Sequence, residues 1–413
     1  MNKDFFKNNR KKLFDDIEDN SLIVLFSGFA PQKSADEAYE FVANKNFYYM
    51  TGIERENFIL LIYKKSGETK ETLFIEKVTP LEEKWTGKRM TKEEAIKISG
   101  IENIEATSDF KNFFNNLMLR NDYSKIYLDL EKRGWDSVNT PALSFAKNIT
   151  ERYPYLRIKN VYHKISQQRM VKTDEEIEMI KKAISITNEG IKNLMKNARP
   201  GMLEYQLEAY FDFKIKTLGS KRFAFKTIAA SGENATILHY DKNNCEMNDN
   251  ELILFDLGAQ YKNYNADISR TFPVNGRFTD RQKQIYEIVL KAELETIKAV
   301  KPGLPFRELN NVTKKVLADE CKKIGLIKED SEISKYYYHG VSHYLGLDTH
   351  DVGDYDVCLQ PGMVLTIEPG LYIEEEEIGI RIEDNVVVTK DGCENLSKDI
   401  IKNVEDIESF MNS

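Results

Sequence analysis

The chain has 413 residues, 41% hydrophobic and 31% charged, with a net charge of -8. That is more than one hydrophobic core usually serves, so two domains are expected. No stretch approaches the roughly 20 apolar residues of a membrane span, and the acidic balance argues against nucleic acid as a partner.

Residues 1–20 are rich in charge, and the apolar run at 21–30 is too short and too late for a signal peptide. Four cysteines without CxxC spacing fit reduced thiols, so a cytoplasmic protein of soluble globular composition is expected. Residues 5–17 read as a helix with one buried stripe. Strand candidates follow at 22–26, 58–63, 72–75 and 125–130, with helical patterns at 92–99 and 109–119. Alternating strands and helices predict an α/β domain over residues 1–165, in which no catalytic constellation is visible.

A second domain, 166–413, opens with a capping box, Thr173-Asp174-Glu175-Glu176, at the head of a long helix. Ile177, Ile180, Ile184, Ile191 and Leu194 give that helix an apolar face, and it stops at Arg199-Pro200-Gly201. A second helix, 203–218, ends at Gly219, and a strand at 227–231 leads into a hairpin. The order then repeats about 100 residues on. Thr279 and Gln282 make a capping box, a long helix runs to Lys301-Pro302-Gly303, another covers 306–324, and further strands follow. Two α+β halves facing each other are the expected outcome of such a duplication.

Each half carries a pair of carboxylates. In the first hairpin Asp256 and Asp267 pair across a turn centred on Tyr261 and Lys262, facing the same way. In the second half, 363–368 and 378–383 are expected to pair, ending in Glu368 and Glu383, unless Pro369-Gly370 inserts a bulge. Like charges so placed destabilise the pairing unless a cation or a shared proton relieves them. Between the pairs lie His339, His343 and His350, three histidines within twelve residues. Four carboxylates and an imidazole suit manganese or another hard-to-borderline divalent ion, and the charge count suits two ions. Such a pair would bring a bound water's pKa toward neutrality, which hydrolysis requires.

The segments Asp256-Leu257-Gly258, Asn265-Ala266-Asp267, His339 through Gly353, Thr366 through Tyr372 and Gly379 through Asp384 resemble the Xaa-Pro aminopeptidase and prolidase family. The similarity covers residues 165–408, and Phe47-Tyr48-Tyr49-Met50-Thr51-Gly52 is similar to the family's N-terminal domain. It implies a pseudo-two-fold pita-bread catalytic domain behind an α/β domain that limits access and supports oligomerisation, within an α+β architecture.

The implied metal ligands are Asp256, Asp267, His343, Glu368 and Glu383, holding two divalent ions, manganese foremost, with Asp267 and Glu383 as bridges. Glu368 is implied to accept a proton from the attacking water, His350 to stabilise the tetrahedral intermediate, and His239 to touch the substrate beside the scissile bond. His339 and Arg381 are implied to shape the proline pocket, with Tyr372 also substrate-binding. The expected partners are peptides with proline second and further copies of the chain, as a homodimer or homotetramer. A dipeptide-restricted prolidase shares every ligand and is the alternative; metal-free relatives, binding modules or creatinase, lack these carboxylates.

Overall fold

The computed structural model describes residues 1–413, which divide into two compact units, Met1–Arg169 and Met170–Ser413. The first contains α1 (Lys3–Asp15), β1 (Ser21–Phe26), α2 (Lys45–Thr51), β2 (Ile59–Lys65), β3 (Glu68–Ile75), α3 (Pro80–Thr86), α4 (Lys92–Ser99) and β4 (Ile104–Ala106). It continues with α5 (Phe110–Arg120), β5 (Lys125–Leu128), α6 (Pro141–Arg152), β6 (Arg157–Asn160) and most of α7 (Tyr162–Met170). One sheet, ordered β4-β3-β2-β1-β5-β6, holds all six strands. Leu22, Val24, Leu61, Phe74, Ile126 and Leu128 point from it into a core closed by Phe110 and Phe114 of α5. The sheet is mixed: β1, β2 and β3 form an antiparallel meander, and β4, β5 and β6 join in parallel.

The second unit repeats one plan. Helices α8 (Asp174–Asn197) and α9 (Glu204–Thr217) pack together and precede β7 (Ile228–Ser231), β8 (Leu252–Leu257), β9 (Gln260–Tyr261), β10 (Tyr264–Asn265) and β11 (Ile268–Pro273). Helices α10 (Asp280–Ala299) and α11 (Glu308–Lys323) likewise pack together. They precede β12 (Val364–Ile367), β13 (Gly370–Ile373), β14 (Ile378–Arg381), β15 (Asp384–Val388) and β16 (Cys393–Asn395), with α12 (Val404–Met411) closing the chain. Each half contributes a three-stranded antiparallel sheet, β11-β8-β7 in one and β12-β15-β16 in the other.

Local chemistry explains where the helices begin. Thr173 and Glu176 exchange side-chain-to-backbone bonds at the start of α8, and Thr279 and Gln282 do so at the start of α10. Glu176 is buried, and its other oxygen accepts the Tyr264 hydroxyl at 2.9 Å, so the first capping box also anchors the hairpin tip. Gly190 permits the close contact of the first helix pair, since a Cβ there would lie 2.4 Å from the Phe211 ring.

Candidate metal centre

Asp256 lies in β8, and the chain turns back at Lys262 and Asn263, both with positive φ (48° and 67°), the backbone of a type I′ hairpin turn. The turn therefore sits one residue beyond the expected position, because asparagine tolerates the left-handed conformation that the second place demands. Asp256 stands opposite Ser269, not Asp267. Moving a turn by one residue moves every cross-strand partner by two, and two residues along a strand restore the same face. Asp256 and Asp267 are thus diagonal neighbours on one face. Gly258 makes the crossing possible: a Cβ there would fall 1.8 Å from the Ala266 carbonyl oxygen.

The second ribbon also differs from expectation. Residues 364–367 pair with β15, and it is β13 that pairs with β14, so the ribbon is one long hairpin bent at Glu368-Pro369. Ile367 faces Asp384 and Gly370 faces Arg381, three residues along each strand, with the Ile382 N–H donating to the Pro369 carbonyl between them. No bulge intervenes, and Glu368 stands opposite Glu383.

The ribbons bring these acids to one spot. Ligating atoms of Asp267, His343 and Glu383 all lie within 4.8 Å of one another. His343 Nε2 is 3.3 Å from Asp267 Oδ2 and 3.5 Å from Glu368 Oε1. Its Nδ1 is 3.0 Å from the Tyr344 carbonyl, which takes the Nδ1–H and leaves Nε2 as the ring nitrogen facing the carboxylates, free to offer a lone pair to a cation. Asp267 is pushed well above the usual carboxylate range by burial and by Asp256, and Glu383 by burial and by Asp267. Burial also raises Glu368, partly opposed by His343 and Arg381. Asp256 Oδ1 and Glu383 Oε1 are buried with no hydrogen-bond partner. Concentrated negative charge, unused acceptor oxygens and an imidazole lone pair form a donor set that fits hard-to-borderline divalent cations.

Around this set runs a polar frame. Arg381 donates to Asp256 Oδ2 at 2.7 Å, to Ser269 Oγ at 2.8 Å and to the Tyr372 hydroxyl at 3.1 Å. The Ser269 hydroxyl donates in turn to Glu383 Oε2 at 2.8 Å, and the Asn385 side chain brackets Asp267 by accepting from its N–H and donating to its carbonyl. His339 meets the Tyr372 hydroxyl at 2.9 Å, and burial, helped by Arg381, lowers its pKa to about 4. Behind the frame, fully buried Arg270 bonds Asp384 Oδ1 and the Glu383 carbonyl at 2.7 Å each, tying β11 to β15. Burial pushes the Asp384 carboxyl up, but Arg270 and Lys402 outweigh it and hold it below the usual range. Replacing Arg270 with methionine leaves Asp384 Oδ1 and the Glu383, Ile400 and Ile401 carbonyls without their donor, while Lys402 and Asn395 still bond Asp384 Oδ2. A loss of about 3–5 kcal/mol is expected, measured by urea unfolding with metal in fixed excess.

A cavity of about 530 Å³ opens onto the centre. His239, His339, His350 and Arg381 line it together with all five candidate ligands, and the His350 ring stacks on His343 with centroids 4.1 Å apart. Tyr372 does not line it; it stands one layer back, joined to His339 and Arg381. Sequence reasoning missed Ser269, Arg270, Thr366 and Asn385. Ser269 and Thr366 had a legible signal, each two residues from a candidate ligand and so on its face of the strand.

Residues 178–390 match the model of metallopeptidase family M24, and residues 6–127 that of the aminopeptidase P N-terminal domain. The Xaa-Pro aminopeptidase of Escherichia coli K12 is 34% identical, over 98% of this chain and 97% of its own.

The chain belongs to metallopeptidase family M24.

Solved structures agree with that assignment. A Bacillus anthracis protein described as a candidate aminopeptidase P is 56% identical with a TM-score of 0.99, over 100% of this chain and 99% of that one. E. coli aminopeptidase P in a zinc-substituted complex with product is 32% identical with a TM-score of 0.92, over 100% and 98%. The second unit thus has the pita-bread fold of the M24 enzymes, and the α+β architecture with an aminopeptidase P N-terminal domain is as expected. The M24 centre is of the divalent-metal kind.

Proposed function

We propose that the chain is a metallo-exopeptidase that releases the N-terminal residue from peptides with proline second. The observation that carries this is the convergence of four carboxylates and His343 on one buried spot beneath a cavity, in a chain similar over its full length to Xaa-Pro aminopeptidases. Asp256, Asp267, His343, Glu368 and Glu383 would hold two divalent ions, with manganese the proposed metal. When bound, the ions supply Lewis acidity at the scissile carbonyl.

This chain's own groups do the rest. Glu368, whose carboxyl is raised by burial, takes a proton from the attacking water. His350, on the cavity wall, donates toward the carbonyl oxygen as it gains charge, and His239, on the same wall, touches the substrate beside the scissile bond. His339 stays neutral and with Arg381 shapes the place for the proline ring, Tyr372 steadying both. A bond before proline lacks an N–H and restricts the preceding residue, and nothing in this set relies on that N–H.

A manganese-supplemented digest of Arg-Pro-Pro is expected to release arginine. Cleavage confined to dipeptides would favour a prolidase, which the full-length aminopeptidase relatives do not support. We further propose self-association as a homodimer or homotetramer in which one subunit's N-terminal unit limits access to its neighbour's site. Trp85 and Trp135, 82% and 91% exposed on that unit, give such a contact apolar surface to cover. Four free cysteines support the cytoplasm as the compartment.

A further inference from the structure

The segment between β7 and β8 brings Leu238 and His239 to the cavity wall with little regular structure, only a 3-10 turn at Gly232–Thr236. His239 is exposed and its ring hydrogen-bonds nothing in the chain, so the backbone on either side must hold it in place.

A single buried carboxylate gathers that backbone. Glu204, the first residue of α9, has no exposed surface. Its Oε1 accepts from the Ser231 N–H at 2.8 Å, the Ser231 hydroxyl at 2.9 Å and the Asn234 amide at 3.2 Å. Its Oε2 accepts from the Tyr240 hydroxyl at 2.8 Å and the Cys245 N–H at 3.0 Å. Ser231 and Asn234 precede His239, Tyr240 follows it directly, and Cys245 lies on the return. Asn243 supports the same return, its carbonyl oxygen accepting the Ala229 N–H at 3.1 Å and its amide donating to the Thr227 carbonyl at 2.8 Å.

Helix capping does not account for Glu204, because Gln206 takes the Leu203 N–H at the start of α9 and leaves the Glu204 carboxylate turned to the loop. No lysine or arginine pairs with it. A buried anion is costly unless its hydrogen bonds are complete. Five donors and no acceptor meet it, an arrangement only a carboxylate satisfies.

We infer that Glu204 is a positioning residue that sets His239 against the scissile bond. This rests on reading the site as an Xaa-Pro peptidase. A glutamine would aim an amide NH₂ at donors; the Tyr240 hydroxyl can turn to accept, but the Ser231 and Cys245 N–H groups cannot. The loop then shifts while the metal ligands, on other segments of the chain, stay in place.

The test is a double-mutant cycle on manganese-loaded protein cleaving Arg-Pro-Pro. E204Q is expected to lower kcat/KM by about 10–100-fold, mostly in kcat, the scale of a misplacement near 1 Å. Metal content is expected to be unchanged. In the H239A background the same substitution is expected to cost less than about threefold, because there is no imidazole left to misplace. A full, multiplicative loss in that background overturns the inference, as does an undiminished E204Q enzyme. Should E204Q fail to fold, Y240F, which deletes one donor, is read by the same rule. Its loss should vanish beside H239A, and an unchanged rate in the wild-type background overturns the inference. The functional reading fails separately, if the wild-type protein releases no arginine. If it releases arginine but H239A is as fast, only the positioning role falls.

Discussion

Exchanging Glu368 for glutamine is expected to lower kcat on Arg-Pro-Pro by about 10²–10⁴, the scale of a positioned proton carrier. The substitution keeps the volume at the bend of the second ribbon and can keep the 3.4 Å contact with the Thr366 hydroxyl. What it removes is the ability to take a proton, and one negative charge beside His343. Because Glu368 is also a proposed ligand, metal content must be measured alongside, and the fall in kcat should exceed any fall in occupancy. H350A separates the two effects. His350 stacks on His343 and is not one of the proposed ligands, so its loss should lower kcat on the same scale while metal content holds. A Glu368 variant within about tenfold of wild type at full loading, about 1.4 kcal/mol of barrier, would mean another group takes the proton.

What the sequence made legible depended on where local chemistry decides. The capping boxes at Thr173 and Thr279 are backbone-to-neighbour bonds, complete within four residues, and α8 and α10 begin where they say. The shared face of Asp256 and Asp267 was also legible, because parity survives a misplaced turn even though the cross-strand partner does not. The second ribbon was less so. Pairing of 364–367 with β15 rather than β14 depends on carrying the register past Pro369, which no local rule settles. In the first unit, α3 and α6 went unseen although each opens on Thr-Pro, an N-cap followed by proline at the first helical position. The strands β4 and β6 had little signal, one being three residues long and the other mostly exposed. Arg270 and Glu204 were invisible for a different reason. Charged residues usually read as solvent-facing, and only the fold shows both completely buried with their partners supplied from distant segments.

Stripping divalent metal is expected to abolish hydrolysis and to leave a chain whose stability falls as pH rises from acid toward neutral. Burial, then neighbouring acids, holds Asp267 and Glu383 well above their ordinary values of 3.8 and 4.5, and burial also raises Glu368. Without a cation the folded chain therefore binds more protons than the unfolded chain over the range between ordinary and raised values. A group of this sign stabilises fully below its unfolded pKa, and that contribution is lost as pH climbs through the folded one. Divalent ions replace those protons. At a free concentration about 100 times Kd they add about 2.7 kcal/mol, provided the unfolded chain does not bind them. Metal binding also strengthens as the ligands deprotonate. The gap in Tm between metal-loaded and chelator-treated protein should therefore widen as pH rises from the ordinary carboxylate values through the raised ones, because the stripped chain weakens while the loaded one gains. Thermal melts across that range decide it. A gap that stays flat or narrows would mean that the four carboxylates are ionised and tolerated without any cation. Arg381, already bound to Asp256 Oδ2, would then be the counter-charge that holds them together.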